Sequence, residues 1–234
     1  MTPKNYVIIG GSKGIGLGIT QRLSSCGASV TVLSRTNETL TDLPNVSHVR
    51  FDVTKDDLDA ELLPNRIDGL AYCPGSINLS SIQSVDPESI VEDFRLNVVG
   101  AIRSLQTSLP AMKVTGVSSV VLFSSVAVAQ GMRMHASVAA SKGAVEALAR
   151  TLAAELAPTV RVNCIAPALT DTPLAARFLA SPKRRIAMSE MYPLKRIGSV
   201  DDVAALAEFL LTDASSWITG QVIGVDGGLA RLRS

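Results

Sequence analysis

The chain has 234 residues, 47% of them hydrophobic and only 4% aromatic, with a formal net charge of +1. At that length roughly three-quarters of the unfolded surface can be buried, so one sizeable core of Ala, Val, Leu and Ile is possible, as in a parallel sheet covered by helices. The near-zero charge excludes the broad electrostatic footprint of a protein that binds nucleic acid or a membrane surface.

The apolar run Tyr6-Val7-Ile8-Ile9 leads into Gly10-Gly11-Ser12-Lys13-Gly14-Ile15-Gly16-Leu17-Gly18. Leu17, Thr20 and Leu23 then give one inward stripe, which predicts a helix over 15–25 ended by Cys26-Gly27. A strand, a glycine turn and a helix start leave free backbone N–H groups open to a phosphate, and a dinucleotide pyrophosphate fits such a place. The spacing is G-x-x-x-G-x-G rather than G-x-G-x-x-G. Gly10 to Gly14 also spell G-x-S-x-G, the nucleophile elbow of α/β-hydrolases, but that elbow belongs well inside the sheet, not on the first strand.

A second strand over 28–33 ends at Ser34-Arg35. An NAD site places an Asp or Glu about 20 residues beyond the glycines to accept from the ribose 2′-hydroxyl. Ser34 and Arg35 suit a 2′-phosphate instead, and Lys13 adds a second cation, so NADP is expected over NAD. The competing reading makes Lys13 and Arg35 ordinary solvated loop residues.

A third strand over 46–51 carries His48, read as structural, and is followed by Asp52-Val53-Thr54, where Asp52 also suits a helix N-cap. A fourth strand over 67–72 leads to Cys73-Pro74-Gly75. Pro87 after Asp86 opens one long helix over 87–112, with Ile90, Val91, Phe94, Val98, Ile102 and Leu105 on its apolar stripe and Asn97 inside it. The strand over 117–123 ends at Ser124-Ser125, at the edge where open α/β sheets place ligands. A slim, alanine-rich helix over 138–156 carries Lys142, and a sixth strand over 161–165 leads to Pro167-Ala168 and Thr170-Asp171-Thr172.

Residues 169–197 are too many for an ordinary connection and predict a substrate lid. Their Lys183-Arg184-Arg185 run reads as solvated surface or as a hint of an anionic substrate. A helix over 200–211 and the segment Trp217 to Gly228 close the pattern. With strands and helices alternating and no linker or repeat, the expectation is one doubly wound, Rossmann-type α/β domain of about seven parallel strands. Cys26, Cys73 and Cys164 are odd in number and widely spaced, so reduced thiols are expected rather than a disulfide framework or a metal site. Glycines arrive too early for a signal peptide, and the longest apolar stretch, 117–129, is too short to span a bilayer, so the expected location is cytoplasmic.

In this order the motifs resemble the short-chain dehydrogenase/reductase family along nearly the whole chain. The glycine loop, Asp52-Val-Thr, Asn97-Val-Val-Gly100, Ser125, Lys142, Pro167-Ala168 in place of P-G, and Val225-Asp-Gly-Gly228 carry the resemblance. It implies an NADP(H)-dependent oxidoreductase acting on a small carbonyl or alcohol, assembled as a homodimer or homotetramer on the slim helix. Gly10, Ser12, Lys13, Gly14, Ile15, Gly16, Ser34, Arg35, Asp52, Val53, Gly75, Lys142, Pro167 and Thr172 would face the cofactor, Thr172 holding the nicotinamide carboxamide. Ser125 and Lys142 would be catalytic, with Asn97 as a proton-relay residue.

Two departures stand out. Cys73-Pro74-Gly75 occupies the place of N-N-A-G, so the polar contacts of the two asparagines do not carry over. The family's acid/base tyrosine, four residues before the lysine, is Val138, which has no proton to exchange. Losing such a group costs about 10²–10⁴ in rate. His135 and Tyr72 are the candidate substitutes. Three readings of Val138 stay open: a natural oxidoreductase with displaced or substrate-assisted acid chemistry, a non-catalytic NADP-binding relative acting as a regulatory or partner subunit, and an engineered knock-out.

Overall fold

Strands that run through the middle of a parallel sheet are covered on both faces, so they read as continuous apolar runs rather than alternating ones. In the computed structural model, which describes residues 3–37 and 39–232, seven strands form the sheet: β1 (Asn5–Ile9), β2 (Ser29–Ser34), β3 (Val46–Arg50), β4 (Gly69–Tyr72), β5 (Ser118–Phe123), β6 (Val160–Pro167) and β7 (Val222–Val225), the inner five largely buried and the edge strands β3 and β7 partly exposed. All pair in parallel, in the order β3-β2-β1-β4-β5-β6-β7. The order reverses between β1 and β4, and ligands of open α/β sheets sit beyond the carboxyl ends of the strands at such a reversal. The glycine loop follows β1 and the Cys73-Pro74-Gly75 turn follows β4, so both flank that crevice.

Successive strand residues feed two apolar layers. Val7, Leu70, Val120 and Val162 pack with Leu105 and Met112 of α3 (Gly100–Lys113) and with Val145 and Ala149 of α5 (Ala136–Leu156). On the other face, Ile8, Val32, Val121 and Ile165 pack with Ile19 and Leu23 of α1 (Gly14–Ser25) and with Val203 and Leu210 of α7 (Val200–Leu211). Ser199 opens α7 with a capping box closed by Asp202, whose carboxyl Arg196 and the Ser199 N–H hold well below the usual range.

The single helix expected over 87–112 is interrupted. It consists of α2 (Pro87–Phe94), a π-helical turn Arg95–Val99, and α3. Such turns arise where one hydrogen bond skips to i→i+5, and they recur at functional sites. Asn97 lies in the middle of this one.

Residues 169–197 contain a 3₁₀ segment, Pro173–Phe178, and a helix α6 (Pro182–Glu190) that the sequence reading did not anticipate. The signal was available: Ser181 caps α6 and Pro182 occupies its first turn. Lys183, Arg184 and Arg185 therefore stand in that first turn, where the helix dipole disfavours cations, and Asp171 neutralises Arg185 at 2.6 Å. A short helix α4 (Val126–Ala129) follows Ser125. Among the described residues no helix is long and apolar enough to cross a membrane.

Candidate active site

The outer part of the crevice is made of backbone. Gly10 takes φ +75°, a conformation L side chains rarely adopt, and a Cβ on Gly16 would overlap the Gly10 carbonyl oxygen. Helix α1 consequently starts against the end of β1, and Thr20 holds it there by donating to Gly11 O, in the loop after β1, at 3.2 Å. Its N-cap, Lys13, makes no side-chain cap bond and no acidic residue occupies the first turn. The first N–H groups of α1 remain free for an anion. Ser12 is buried in the loop, and no histidine among the described residues pairs with its hydroxyl, so the hydrolase elbow lacks its base.

Ser34 ends β2 with its hydroxyl donating to Thr36 O at 2.8 Å. His48 Nε2 lies 3.0 Å from both the hydroxyl and the carbonyl oxygen of Ser34. The structural reading of His48 thus gains a task, since it fixes the Ser34-Arg35 turn. Asp52 caps a single turn rather than a helix: it accepts from Thr54 N and Oγ1 at 3.0 and 2.7 Å, which lowers its pKa. Gly10, Ser12, Lys13, Gly14, Ile15, Gly16, Ser34, Arg35, Asp52, Val53, Gly75 and Thr172 line one cleft of about 700 Å³. Lys13 and Arg35 are exposed on its wall.

A smaller cavity of about 150 Å³ continues inward past Ile15, Cys73, Gly75 and Thr172, which border both spaces, and reaches Ser125, Val138, Lys142 and Pro167. Ser125 caps α4, its hydroxyl accepting from Ala127 N at 3.2 Å. Lys142 is buried with Nζ donating to Phe123 O at 2.9 Å, and burial pulls its pKa down to about 8. Asn97 donates to Asp93 O at 2.8 Å, while its Oδ1 is buried with no partner. A Cβ on Gly75 would stand 3.3 Å from Lys142 Nζ and 3.4 Å from Asn97 Oδ1, so the three residues converge. An orphaned buried acceptor costs about 1–3 kcal/mol unless a ligand or water satisfies it. The free cradle at α1 and this orphan both fit a dinucleotide laid along the cleft.

Neither of the two candidate proton donors, Tyr72 and His135, faces the cavity. Tyr72 is a core side chain whose hydroxyl donates to Leu96 O at 2.6 Å, and burial raises its pKa. His135 precedes α5, with Nδ1 2.7 Å from Arg133 O. Burial pushes the Cys73 thiol up to about 12, so it stays neutral.

Sequence reading missed Asp93. Its buried carboxylate receives Ser76 Oγ at 2.5 Å, Asn78 Nδ2 at 2.7 Å and the Ser137 hydroxyl. The available signal was a carboxylate four residues before Asn97 on the inward face of an amphipathic helix.

A family model described as enoyl-(acyl carrier protein) reductase matches residues 10–230. A tropinone reductase homolog of Arabidopsis thaliana is 33% identical over 97% of this chain and 91% of its own. L-xylulose reductase of Bos taurus is 30% identical, with 96% of each chain covered. A solved short-chain type dehydrogenase/reductase from Mycobacterium ulcerans superimposes with a TM-score of 0.90 at 34% identity, covering 99% of this chain and 91% of that one. Matched in sequence from the glycine loop to the closing turn, and in the architecture that carries them, the chain belongs to the short-chain dehydrogenase/reductase family of oxidoreductases.

Proposed function

We propose that this protein moves hydride between NADP(H) and the carbonyl or alcohol carbon of a small molecule, without the tyrosine its relatives use as acid/base. The observation that carries the reading is a pair of adjoining cavities, one walled by exposed Lys13 and Arg35 and the other by buried Lys142, that share Ile15, Cys73, Gly75 and Thr172. The reductase names of the Arabidopsis and bovine relatives support a carbonyl substrate.

In this reading Gly10, Ser12, Gly14, Ile15 and Gly16 wrap the diphosphate, and Lys13, Ser34 and Arg35 hold the 2′-phosphate. Asp52 and Val53 border the adenine, Gly75 and Lys142 the nicotinamide ribose, and Pro167 and Thr172 the carboxamide. The bound nicotinamide supplies the carbon that exchanges hydride. Ser125 donates to the substrate oxygen, and Asn97 holds a water or ribose hydroxyl through its free Oδ1. Residues 169–197 act as a lid, a role supported by Leu174 and Ala175 in the inner cavity and by the bond from Arg177 to Ile77 O across its mouth. Homodimers or homotetramers would use α5, on the strength of the family resemblance alone.

Val138, buried in the inner cavity where the tyrosine is expected, favours a second reading, a subunit that binds NADP without turning over. Single-turnover oxidation of bound NADPH by a panel of ketones, run beside a binding titration, separates the two. The first reading predicts binding with oxidation. Binding without oxidation by any ketone supports the second.

A further inference from the structure

The proton that Val138 lacks has another source in the same cavity. Ser76 follows Gly75 and lines the inner cavity together with Ser125, Val138 and Lys142. Behind it stands Asp93, buried in the helix face next to the π-helical turn, with Ser76 Oγ 2.5 Å from Oδ1. Asn78 Nδ2 donates to the same oxygen at 2.7 Å, and the Ser137 hydroxyl donates to Oδ2. Among the described residues these bonding partners are hydroxyls and an amide, and no cation forms an ion pair with Asp93.

The arrangement is aimed at the reacting region. Ser137 is the immediate neighbour of Val138 on α5, so the carboxylate is anchored one residue from the missing phenol. Asn97 Nδ2 lies 3.4 Å from Ser76 Oγ, which links the pair to the orphaned Oδ1 beside Gly75 and Lys142. Ser76 is partly exposed to the cavity while Asp93 is sealed behind it. A hydroxyl with an open side and a carboxylate at its back can accept one proton as it passes on another.

We infer that Ser76 and Asp93 form the proton relay of this enzyme, Ser76 touching the substrate oxygen and Asp93 acting through it; the inference rests on the hydride-transfer reading above. In alcohol oxidation the substrate O–H gives its proton to Ser76 Oγ, and Ser76 gives its own to the Asp93 carboxylate. The substrate C–H bond breaks, its electron pair leaves with the hydrogen as hydride to the nicotinamide, and the C=O bond forms. In reduction each transfer reverses, the Asp93 carboxylic acid supplies the proton through Ser76, and water restores it between turnovers.

The test is single-turnover oxidation of bound NADPH by 2,3-butanedione, with an NADPH titration of each variant. Ser76→Ala is expected to slow oxidation by roughly 10²-fold with NADPH affinity kept within about threefold, whereas Ser76→Thr, which keeps a hydroxyl, stays within about tenfold of wild type. Asp93→Asn should match Ser76→Ala; the Ser76 variants carry the test if that buried change unfolds the chain. In a Val138→Tyr background the Ser76→Ala loss should shrink to less than about tenfold, because the phenol then supplies the proton. Equal losses in both backgrounds, or an unimpaired Ser76→Ala, would overturn the relay and leave the hydride-transfer reading standing, whereas a wild type that binds NADPH yet reduces no diketone would overturn the hydride-transfer reading and the relay together. Failure of wild type to bind NADPH would overturn the cofactor reading itself, and the relay with it.

Discussion

The two ends of the cleft are built differently. The outer end is backbone and short-range: residues 10–16 form the cradle, and residues 34–35 and 52–53 close it. The inner end gathers side chains from widely separated segments, Gly75 and Ser76 after β4, Asp93 and Asn97 around the π-helical turn, Ser125 after β5, and Val138 and Lys142 on α5. A backbone cradle is kept by absent side chains, and almost any substitution at Gly16 would fill it. A side-chain cavity can lose its proton donor to one aliphatic residue while its walls persist. Under the proposed function binding and chemistry are separable, and perturbing each end in turn tests that separation.

The largest effect is expected at the inner end. Val138→Tyr places a phenol one turn before Lys142, where the ammonium lowers the phenol pKa. If the relay through Ser76 is a slower substitute, carbonyl reduction should rise by up to about 10²–10⁴ with NADPH affinity nearly unchanged. A tyrosine variant that folds, binds NADPH and gains nothing would mean the inner end is unfit for reduction in more than its missing phenol.

Lys142 sharpens the comparison through stability. Its folded pKa of about 8 lies below the ordinary 10.5, so the unfolded chain binds the proton more tightly. The cost is fully present below pH 8, fades between 8 and 10.5, and is gone above, so stability rises with pH across that window. The shift corresponds to about 3 kcal/mol, offset by about 1 kcal/mol for the bond to Phe123 O. Lys142→Met should therefore be more stable than wild type by about 2 kcal/mol at pH 7 in urea titration, with the gap closing toward pH 10.5. A less stable variant at pH 7 would contradict this reading of Lys142.

At the outer end the expected effect is smaller. Arg35→Ala should weaken NADPH binding by about tenfold, leave NADH nearly untouched, and not alter the rate of hydride transfer at saturation. Equal losses for both dinucleotides would remove Arg35 from the 2′-phosphate.

Much of this was legible from sequence, for physical reasons. Buried parallel strands are continuous apolar runs, so the inner strands could be read to within two residues; the edge strand β3 was read as closely, β7 was located only within the segment 217–228, and the helix over 200–211 falls where it was expected. The glycine spacing announced the cradle because sterics leave no other residue there. The π-helical turn at Arg95–Val99 was not legible, since a one-residue slip in hydrogen bonding leaves no mark on apolar periodicity. The Asp93 cluster was hidden because Ser137, 44 residues away, completes it, and only the fold brings the two together.

The most direct measurement is calorimetric titration of the folded chain with NADPH and, separately, with NADH. A cradle closed by Lys13 and Arg35 predicts saturable NADPH binding at least about tenfold tighter than NADH, a difference of about 1.4 kcal/mol. No heat from either dinucleotide at millimolar concentration, or a preference for NADH, would contradict it.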